Sequence, residues 1–311
     1  ARGEPIAILT ASEAPIYPHF GYGLASRLAK VRIDTTNGLP LVAEPSTGGR
    51  LRMVDAAEAE PHARRLIAAV QQQRVGELTR PDAWWPVFLR DREKNRNGAS
   101  PRYWVLHEGA AGEVDGFAHY RIKDHWGDDD AVPRNEVVLH EVVAPHPEVE
   151  AELLRFVVGI DLTTVITSWH RPVDDAFRLR LADDRRYRVV LFHDHLWVRV
   201  LDVPAALTAR TYESAGTIVL GVEDRFRGSS EGRFRLVVGD DGSATCERVG
   251  DLDGEADVAL GVDALGSLYL GDVRVWQLAE AGRLRPSSPA ALATAERVFA
   301  APRAPYCTMG F

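Results

Sequence analysis

The chain opens on a short unbroken apolar run, Ile6-Ala7-Ile8-Leu9, which predicts a buried strand. Before it, Arg2-Gly3-Glu4-Pro5 reads like the end of a helix capped by Gly3, as though the sequence started in the middle of a domain. Ser12-Glu13-Ala14-Pro15 predicts a short turn or helix holding Tyr17, and Phe20-Gly21-Tyr22-Gly23 leads into alternating strand sequence that runs to Ile33. Asn37 to Gly49 is rich in glycine and proline, lacks periodicity and marks a linker. Beyond it the pattern predicts a strand at Leu51 to Val54 and a helix over Pro61 to Gln73 with Leu66, Ile67 and Val70 on one stripe. A second helix follows Pro81, with Trp84, Trp85, Phe88 and Leu89 on a single face. Strands at Tyr103 to His107, Val114 to Ile122 and Glu136 to Val143 come next. A helix opening at His146-Pro147-Glu148 then carries Leu153, Leu154, Val157 and Val158. Thr163 to Thr167 is a β-branched strand, Asp174 to Ala182 a short helix, and Tyr187 to Phe192 and Leu196 to Leu201 two strands joined by a turn.

From about Asp202 the rhythm changes to that of a small α+β domain. Thr217 to Val222, Arg233 to Val238 and Ala244 to Arg248 alternate as half-buried strands, with Asp240-Asp241-Gly242 as a hairpin turn. Ala256 to Leu260 and Leu265 to Leu270 are apolar, Ala290 to Phe299 forms a last helix, and the tail from Arg303 to Phe311 has no periodicity.

A length of 311 residues allows about two domains, or three small ones, and 45% hydrophobic against 26% charged residues excludes general disorder. The formal charge of -8 argues against a nucleic acid or an acidic membrane as partner and suits a cationic substrate. Cys246 and Cys307 match no metal or redox spacing, so a reducing cytoplasm is the simplest compartment, although a disulfide between them stays open. No apolar run reaches the roughly 20 residues of a membrane span, and no basic region followed by an apolar stretch opens the chain.

Isolated signals have plain structural readings. His193 and His195 flank Asp194 on a strand face, but no third ligand stands at a metal-binding spacing, and a turn between two strands accounts for them. Asp251, Asp253 and Gly254 imitate part of a calcium loop, yet Val262 occupies the place of the required glutamate. Asp128-Asp129-Asp130 reads as a solvated loop able to attract cations. Gly266-Ser267 lacks the second glycine of a hydrolase elbow, and the Trp84, Trp85 and Phe88 stripe reads as core or subunit contact.

The order β, α, α, β, β, β, α, β, α, β, β between Arg50 and Leu201 is that of the acetyl-CoA-dependent GNAT superfamily, which this segment resembles by topology. In that fold a Gly-rich loop after the fourth strand gives a pyrophosphate its N–H donors. Here the place reads Ala144-Pro145-His146-Pro147-Glu148-Val149-Glu150, in which prolines remove donors and glutamates repel phosphate. The segment is therefore expected to keep the shape without holding the cofactor.

Four ordered blocks carry a closer resemblance: ASEAPIYPHFGYG at Ala11 to Gly23, RPVDDAFRLRLADDRR at Arg171 to Arg186, LWVRVLDVPAALTAR at Leu196 to Arg210, and ALGSLYLGD at Ala264 to Asp272. With the closing aromatic residue, they resemble the Eis-type (enhanced intracellular survival) N-acetyltransferases, built from two GNAT-like domains and a sterol-carrier-like domain. The resemblance implies an α+β fold, with the C-terminal part of a first GNAT domain at 1–46, a complete GNAT-like domain at 47–201 and a sterol-carrier-like domain at 202–311. The opening strands of the first GNAT domain, with their pyrophosphate loop, are missing from that pattern.

What the resemblance implies for chemistry is acetyl transfer from acetyl-CoA to a primary amine, of an aminoglycoside, a polyamine or a lysine, by a homo-oligomer, a hexamer in the family. The α-carboxylate of Phe311 is then the base that removes a proton from the amine, and Tyr17 is the acid that protonates the departing thiolate. Ser12, Glu13 and Ile16 lie beside the pantetheine arm. Gly310 departs from members with an acidic residue there, which removes one contact to a polycationic acceptor. A second reading, of a different class, is a non-catalytic scaffold or lipid-binding protein that uses the sterol-carrier-like domain.

Overall fold

Both strands at the start of the chain form, but the alternating run from Phe20 to Ile33 does not stay in one sheet. The computed structural model describes residues 3–127, 132–250 and 255–310. Asp128-Asp129-Asp130, Asp251, Asp253, Gly254 and Phe311 therefore lie outside the described residues. In chain order the first elements are β1 (Ile6–Thr10), a 3-10 turn (Tyr17–Phe20), β2 (Gly23–Leu24) and β3 (Arg27–Asp34). Then follow β4 (Arg50–Val54), α1 (Ala56–Gln71), α2 (Trp85–Leu89), β5 (Tyr103–Glu108), β6 (Val114–Lys123), β7 (Asn135–Val143), α3 (Pro147–Val158) and β8 (Thr163–Pro172). β9 (Tyr187–Asp194) and β10 (Leu196–Val200) lead to α4 (Val203–Ala209), β11 (Gly216–Glu223), β12 (Gly232–Val238) and β13 (Ala244–Val249). The chain closes on β14 (Val258–Gly261), α5 (Val262–Leu268), α6 (Val275–Glu280), β15 (Leu284–Pro286) and α7 (Pro289–Phe299).

These elements form two compact units, one of Ala1–Arg27 with Asp194–Phe311 and the other of Leu28–His193. In the first unit β10 lies between β1 and β2, antiparallel to both. A second sheet there runs β13-β12-β11-β14-β15, and its inward residues Ile218, Leu220, Leu236 and Phe234 form one core with Leu265 of α5 and Val298 of α7. Period-2 alternation along β11 and β12 produces this one-sided burial.

The second unit is a seven-stranded sheet, β4-β5-β6-β7-β8-β3-β9, with β7 and β8 parallel. Alternate residues of β5 and β6 feed two cores. Val105 and Ala118 join Leu153 and Val157 of α3, while Trp104, Leu106 and Phe117 join Leu66 and Ile67 of α1. Helix α1 begins at Ala56 rather than Pro61 because Asp55 caps it, accepting the Glu58 N–H at 2.9 Å. The expected helix at Asp174 to Ala182 is a 3-10 segment, Ala176–Arg180, that Asp175 caps.

The turn expected to join the last two strands of this region is not a hairpin. β9 stays at the margin of the seven-stranded sheet and β10 joins β1 and β2. The chain changes sheets at Ala25-Ser26 and again at Asp194-His195. These two points are stitched together: the Ala25 N–H donates to Leu196 O at 2.8 Å, the His195 N–H to Ser26 O at 2.9 Å and the Leu196 N–H to Ser26 Oγ at 3.1 Å. A period-2 pattern reports that a residue is in a strand and not which sheet receives it. Cys246 and Cys307 are both free thiols, and among the described residues no helix is long and apolar enough to cross a membrane.

Behind α2 the second unit buries a charged network. Arg80 and His119 both donate to Glu141, the latter at 3.2 Å. Burial alone would raise the Glu141 carboxyl, but Arg80 and His119 hold it well below its usual range. Burial pushes the His119 imidazole down to about 4, and burial together with the neighbouring His119 pushes His140 down to about 3. Both groups take up protons near 6.5 in the unfolded chain, so the unfolded state binds more protons across that window. Their contribution to stability is complete above pH 6.5 and lost as pH falls towards 4. Urea midpoints should fall steeply over this interval, and His140→Gln should flatten the slope; a slope unchanged in the variant would remove His140 from the account.

Candidate active site

Tyr17 sits on the 3-10 turn because the local sequence leaves the backbone few alternatives. Pro18 sets φ near the start of the turn, and Gly21 closes it in the left-handed region at φ 76°, with its N–H donating to Pro18 O at 2.9 Å. The Tyr22 N–H returns to Tyr17 O at 3.2 Å. Tyr17 is half-buried, its ring 6.2 Å from that of Tyr22 in an edge-on pair and 6.5 Å from that of Trp197 on β10. Trp197 is fixed in turn by its Nε1–H, which donates to Asp194 at 2.7 Å.

The two glycines of Phe20-Gly21-Tyr22-Gly23 serve close approach. A Cβ on Gly21 would stand 1.7 Å from the Arg199 guanidinium, and one on Gly23 would stand 1.8 Å from Asp263 O and 2.5 Å from Ser267 N. From the other side, a Cβ on Gly266 would stand 2.2 Å from Val198 O. Arg27 adds an ion pair to Asp272 at 2.8 Å. Three separate blocks, Ala11 to Gly23, Leu196 to Val200 and Ala264 to Asp272, therefore meet at Gly23, just beyond the turn that carries Tyr17, within the first unit.

Ser12, Glu13 and Ile16 are exposed on the segment leading into the turn, where the Ile16 N–H donates to Glu13 O at 3.2 Å. Phe311 lies outside the described residues, but the tail before it does not fray: Tyr306, Cys307 and Met309 are buried, and Gly310 is exposed. Tyr17 and this tail, about three hundred residues apart in sequence, belong to the same compact unit. His193 Nε2 meets the Trp169 carbonyl at 3.0 Å, whereas His195 is buried in the other unit. Ser267 lies within α5, its hydroxyl donating to Asp263 O at 3.2 Å.

Acetyl-CoA needs donors for its diphosphate, and the second unit does not suit one. Pro147 opens α3, and Glu148 and Glu150 fill its first turn, held by Arg180 and, at 2.9 Å, by Arg171. β7 and β8 pair only between Asn135–Val138 and Thr163–Thr167. The His170 imidazole hydrogen-bonds the His140 backbone beyond that stretch, where the strands no longer pair. In the first unit β1 is a margin strand, with β10 as its only neighbour in the sheet order. An open cleft of about 1500 Å³ in that unit is lined by Glu223, Arg225, Glu231, Arg248, Asp263 and Arg285 among others.

Sequence reasoning did not single out Arg199, whose guanidinium lies against Gly21. One signal was available in the residues: an arginine between Val198 and Val200 in an otherwise apolar strand, which needs a partner if the strand is buried.

Comparison with known proteins gives a consistent result. Residues 76–200 match the acetyltransferase (GNAT) domain and residues 203–308 the sterol carrier protein domain. An uncharacterised N-acetyltransferase of Streptomyces coelicolor is 40% identical over 311 residues, 100% of this chain and 73% of that protein. N-acetyltransferase Eis of Mycobacterium tuberculosis is 32% identical over 304 residues, 96% of this chain and 70% of that protein. The crystal structure of Eis1 from Mycobacterium abscessus superposes with a TM-score of 0.82 at 30% identity, covering 100% of this chain and 74% of that one.

Gly23→Ala should lower the melting temperature by roughly 5–10 °C, since its Cβ meets backbone atoms that cannot step aside. Gly282→Ala, at φ 70° with nothing within 4 Å, should cost only about 1 kcal/mol of backbone strain. Equal melting temperatures for the two variants would contradict the packing account.

Proposed function

Because the chain belongs to the Eis-like GNAT N-acetyltransferases, we propose that its acetyl transfer runs from acetyl-CoA to a primary amine of a small cationic molecule. An aminoglycoside, a polyamine or a lysine-like amine is the acceptor, Tyr17 is the acid and the α-carboxylate of Phe311 is the base. One observation carries this reading: the clamped turn of Tyr17 and the buried tail up to Met309 share one compact unit.

A primary amine with a pKa near ~10 is almost wholly protonated at neutral pH and cannot attack. The Phe311 carboxylate takes up its proton and passes it to solvent, the neutral nitrogen adds to the thioester carbonyl to form the new C–N bond, and the second proton of that nitrogen then leaves by the same carboxylate as the carbonyl is restored. As the C–S bond breaks, the Tyr17 O–H gives its proton to the sulfur and is restored from solvent, leaving the amide and the free thiol. Ser12, Glu13 and Ile16, exposed along the approach to the turn, line the pantetheine arm. The poor match of α3 to a diphosphate supports leaving the second unit outside cofactor binding.

Tyr17→Phe should lower kcat by about 10²-fold with little change in KM, and one residue added after Phe311 should reduce turnover at least as far. A Tyr17→Phe enzyme that changes only KM would make the tyrosine a substrate contact, and full activity after the extension would remove the base.

Self-association is part of the proposal. β9 stands at the sheet margin with Val190, Leu191 and Phe192 each about half exposed, and no proline interrupts it. A second copy of the chain is the occupant that matches a strand edge carrying apolar side chains on both faces. Light scattering should report an oligomer that Phe192→Glu disrupts; an oligomer that survives the change would place the interface elsewhere.

A further inference from the structure

Arg199 is a charged residue in the middle strand of a three-stranded sheet, only 3% exposed. Its Nη2 donates to both carboxylate oxygens of Asp224, at 3.0 Å each, and its Nη1 donates to the Phe20 carbonyl. Asp224 is itself 2% exposed and also accepts the N–H groups of Arg227 and Ser230, each at 3.3 Å. Burial alone would raise its carboxyl, but Arg199 and these backbone donors hold it below the usual carboxylate range. The Ser230 hydroxyl ties the same loop to the end of β10, donating to Val200 O at 3.1 Å or Leu201 O at 3.0 Å. Phe226, at the outer end of this loop, packs edge-on against Phe20 with ring centres 5.1 Å apart.

Phe20 is the last residue of the 3-10 turn that begins with Tyr17, and its carbonyl has no bond within the turn. A guanidinium on that carbonyl and a ring against the Phe20 side chain hold the end of the turn, while Tyr22 and Trp197 pack near its start at Tyr17. The Gly21 backbone lies directly against the same guanidinium. We infer that Arg199, Asp224 and Phe226 are positioning residues that set the aim of the Tyr17 hydroxyl, so that the loop after β11 is part of the acetyl-transfer machinery although none of the three touches the reacting atoms. The inference rests on Tyr17 acting as the acid.

Breaking a buried pair can cost the fold, so the test uses Asp224→Asn together with Phe226→Ala, whose ring is 55% exposed and leaves no buried charge behind. Both should lower kcat about tenfold and change KM for the amine less than about twofold, without moving the melting temperature of Phe226→Ala by more than a few degrees. In a Tyr17→Phe background neither change should reduce kcat further, because an aim already lost cannot be lost again. Fluorine NMR of 3-fluorotyrosine at position 17 should show a shifted and broadened line in both variants. Unaltered kcat and an unaltered fluorine line, or losses that persist undiminished in the Tyr17→Phe background, would overturn the inference. Full activity of Tyr17→Phe alone would instead sink the acid assignment, and the fluorine line would still decide whether the clamp orients the turn.

Discussion

Everything around Tyr17 depends on backbone coming closer to its neighbours than a side chain would allow. Gly23 lies against the Asp263 carbonyl and the Ser267 N–H of α5, Gly266 lies against the Val198 carbonyl of β10, and Gly21 lies against Arg199. With a Cβ at Gly23 or Gly266, which meet backbone atoms, the segment after the turn, the exchanged strand and α5 could not close on one another, and at Gly21 the Arg199 guanidinium would have to shift. The half-buried phenol would then stand on a loose loop. The glycines are spent on proximity, and the proximity is what lets three distant blocks of sequence assemble one site.

The electrostatics follow the same economy in both units. A carboxylate taken out of water is tolerated only where a guanidinium and further donors meet it, as at Asp224 with Arg199 and two backbone N–H groups, and at Glu141 with Arg80 and His119. Such pairs add little net stability over apolar residues of equal size, but they punish any other arrangement of the same groups, so they specify geometry. At Asp224 the geometry concerns the turn that carries Tyr17. At Glu141 it concerns the aromatic layer of Trp84, Trp85, Phe88 and Trp104, where Arg80 lies over the Phe88 ring at 5.0 Å.

The second unit combines a GNAT-like sheet with a helix start that suits a phosphate poorly. Its sheet order, with β7 parallel to β8, follows the architecture its element order predicted. Yet Glu148 and Glu150 sit where a phosphate would need N–H groups, each held by an arginine, and a histidine hydrogen bond lies where the two strands diverge. The shape is kept by Leu153, Val157 and their partners, which do not depend on those loop residues.

Much of this was legible in the residues alone. Alternation and capping residues placed most of the strands and the helices α1, α2, α3 and α7, but not α4, α6 or β15. The four blocks identified the family, and the proline and glutamates of the first turn of α3 stood in the sequence as residues ill suited to a phosphate, because such signals act within a few residues of where they are written. Helix α1 was misjudged by one turn since Pro61 looked like a start and Asp55 was the cap. The exchange of β3 and β10 was out of reach, because a strand carries the same period whichever sheet it joins. Asp224 and Phe226 were equally hidden, as their partners Arg199 and Phe20 lie in segments that only folding brings to them. Sequence by itself determined the elements, the family and the chemical identity of the candidate acid. Only the tertiary structure decided that Tyr17 and the chain's tail belong to one unit and what holds the turn in place, because backbone approach and buried charge pairing exist only once distant segments have met.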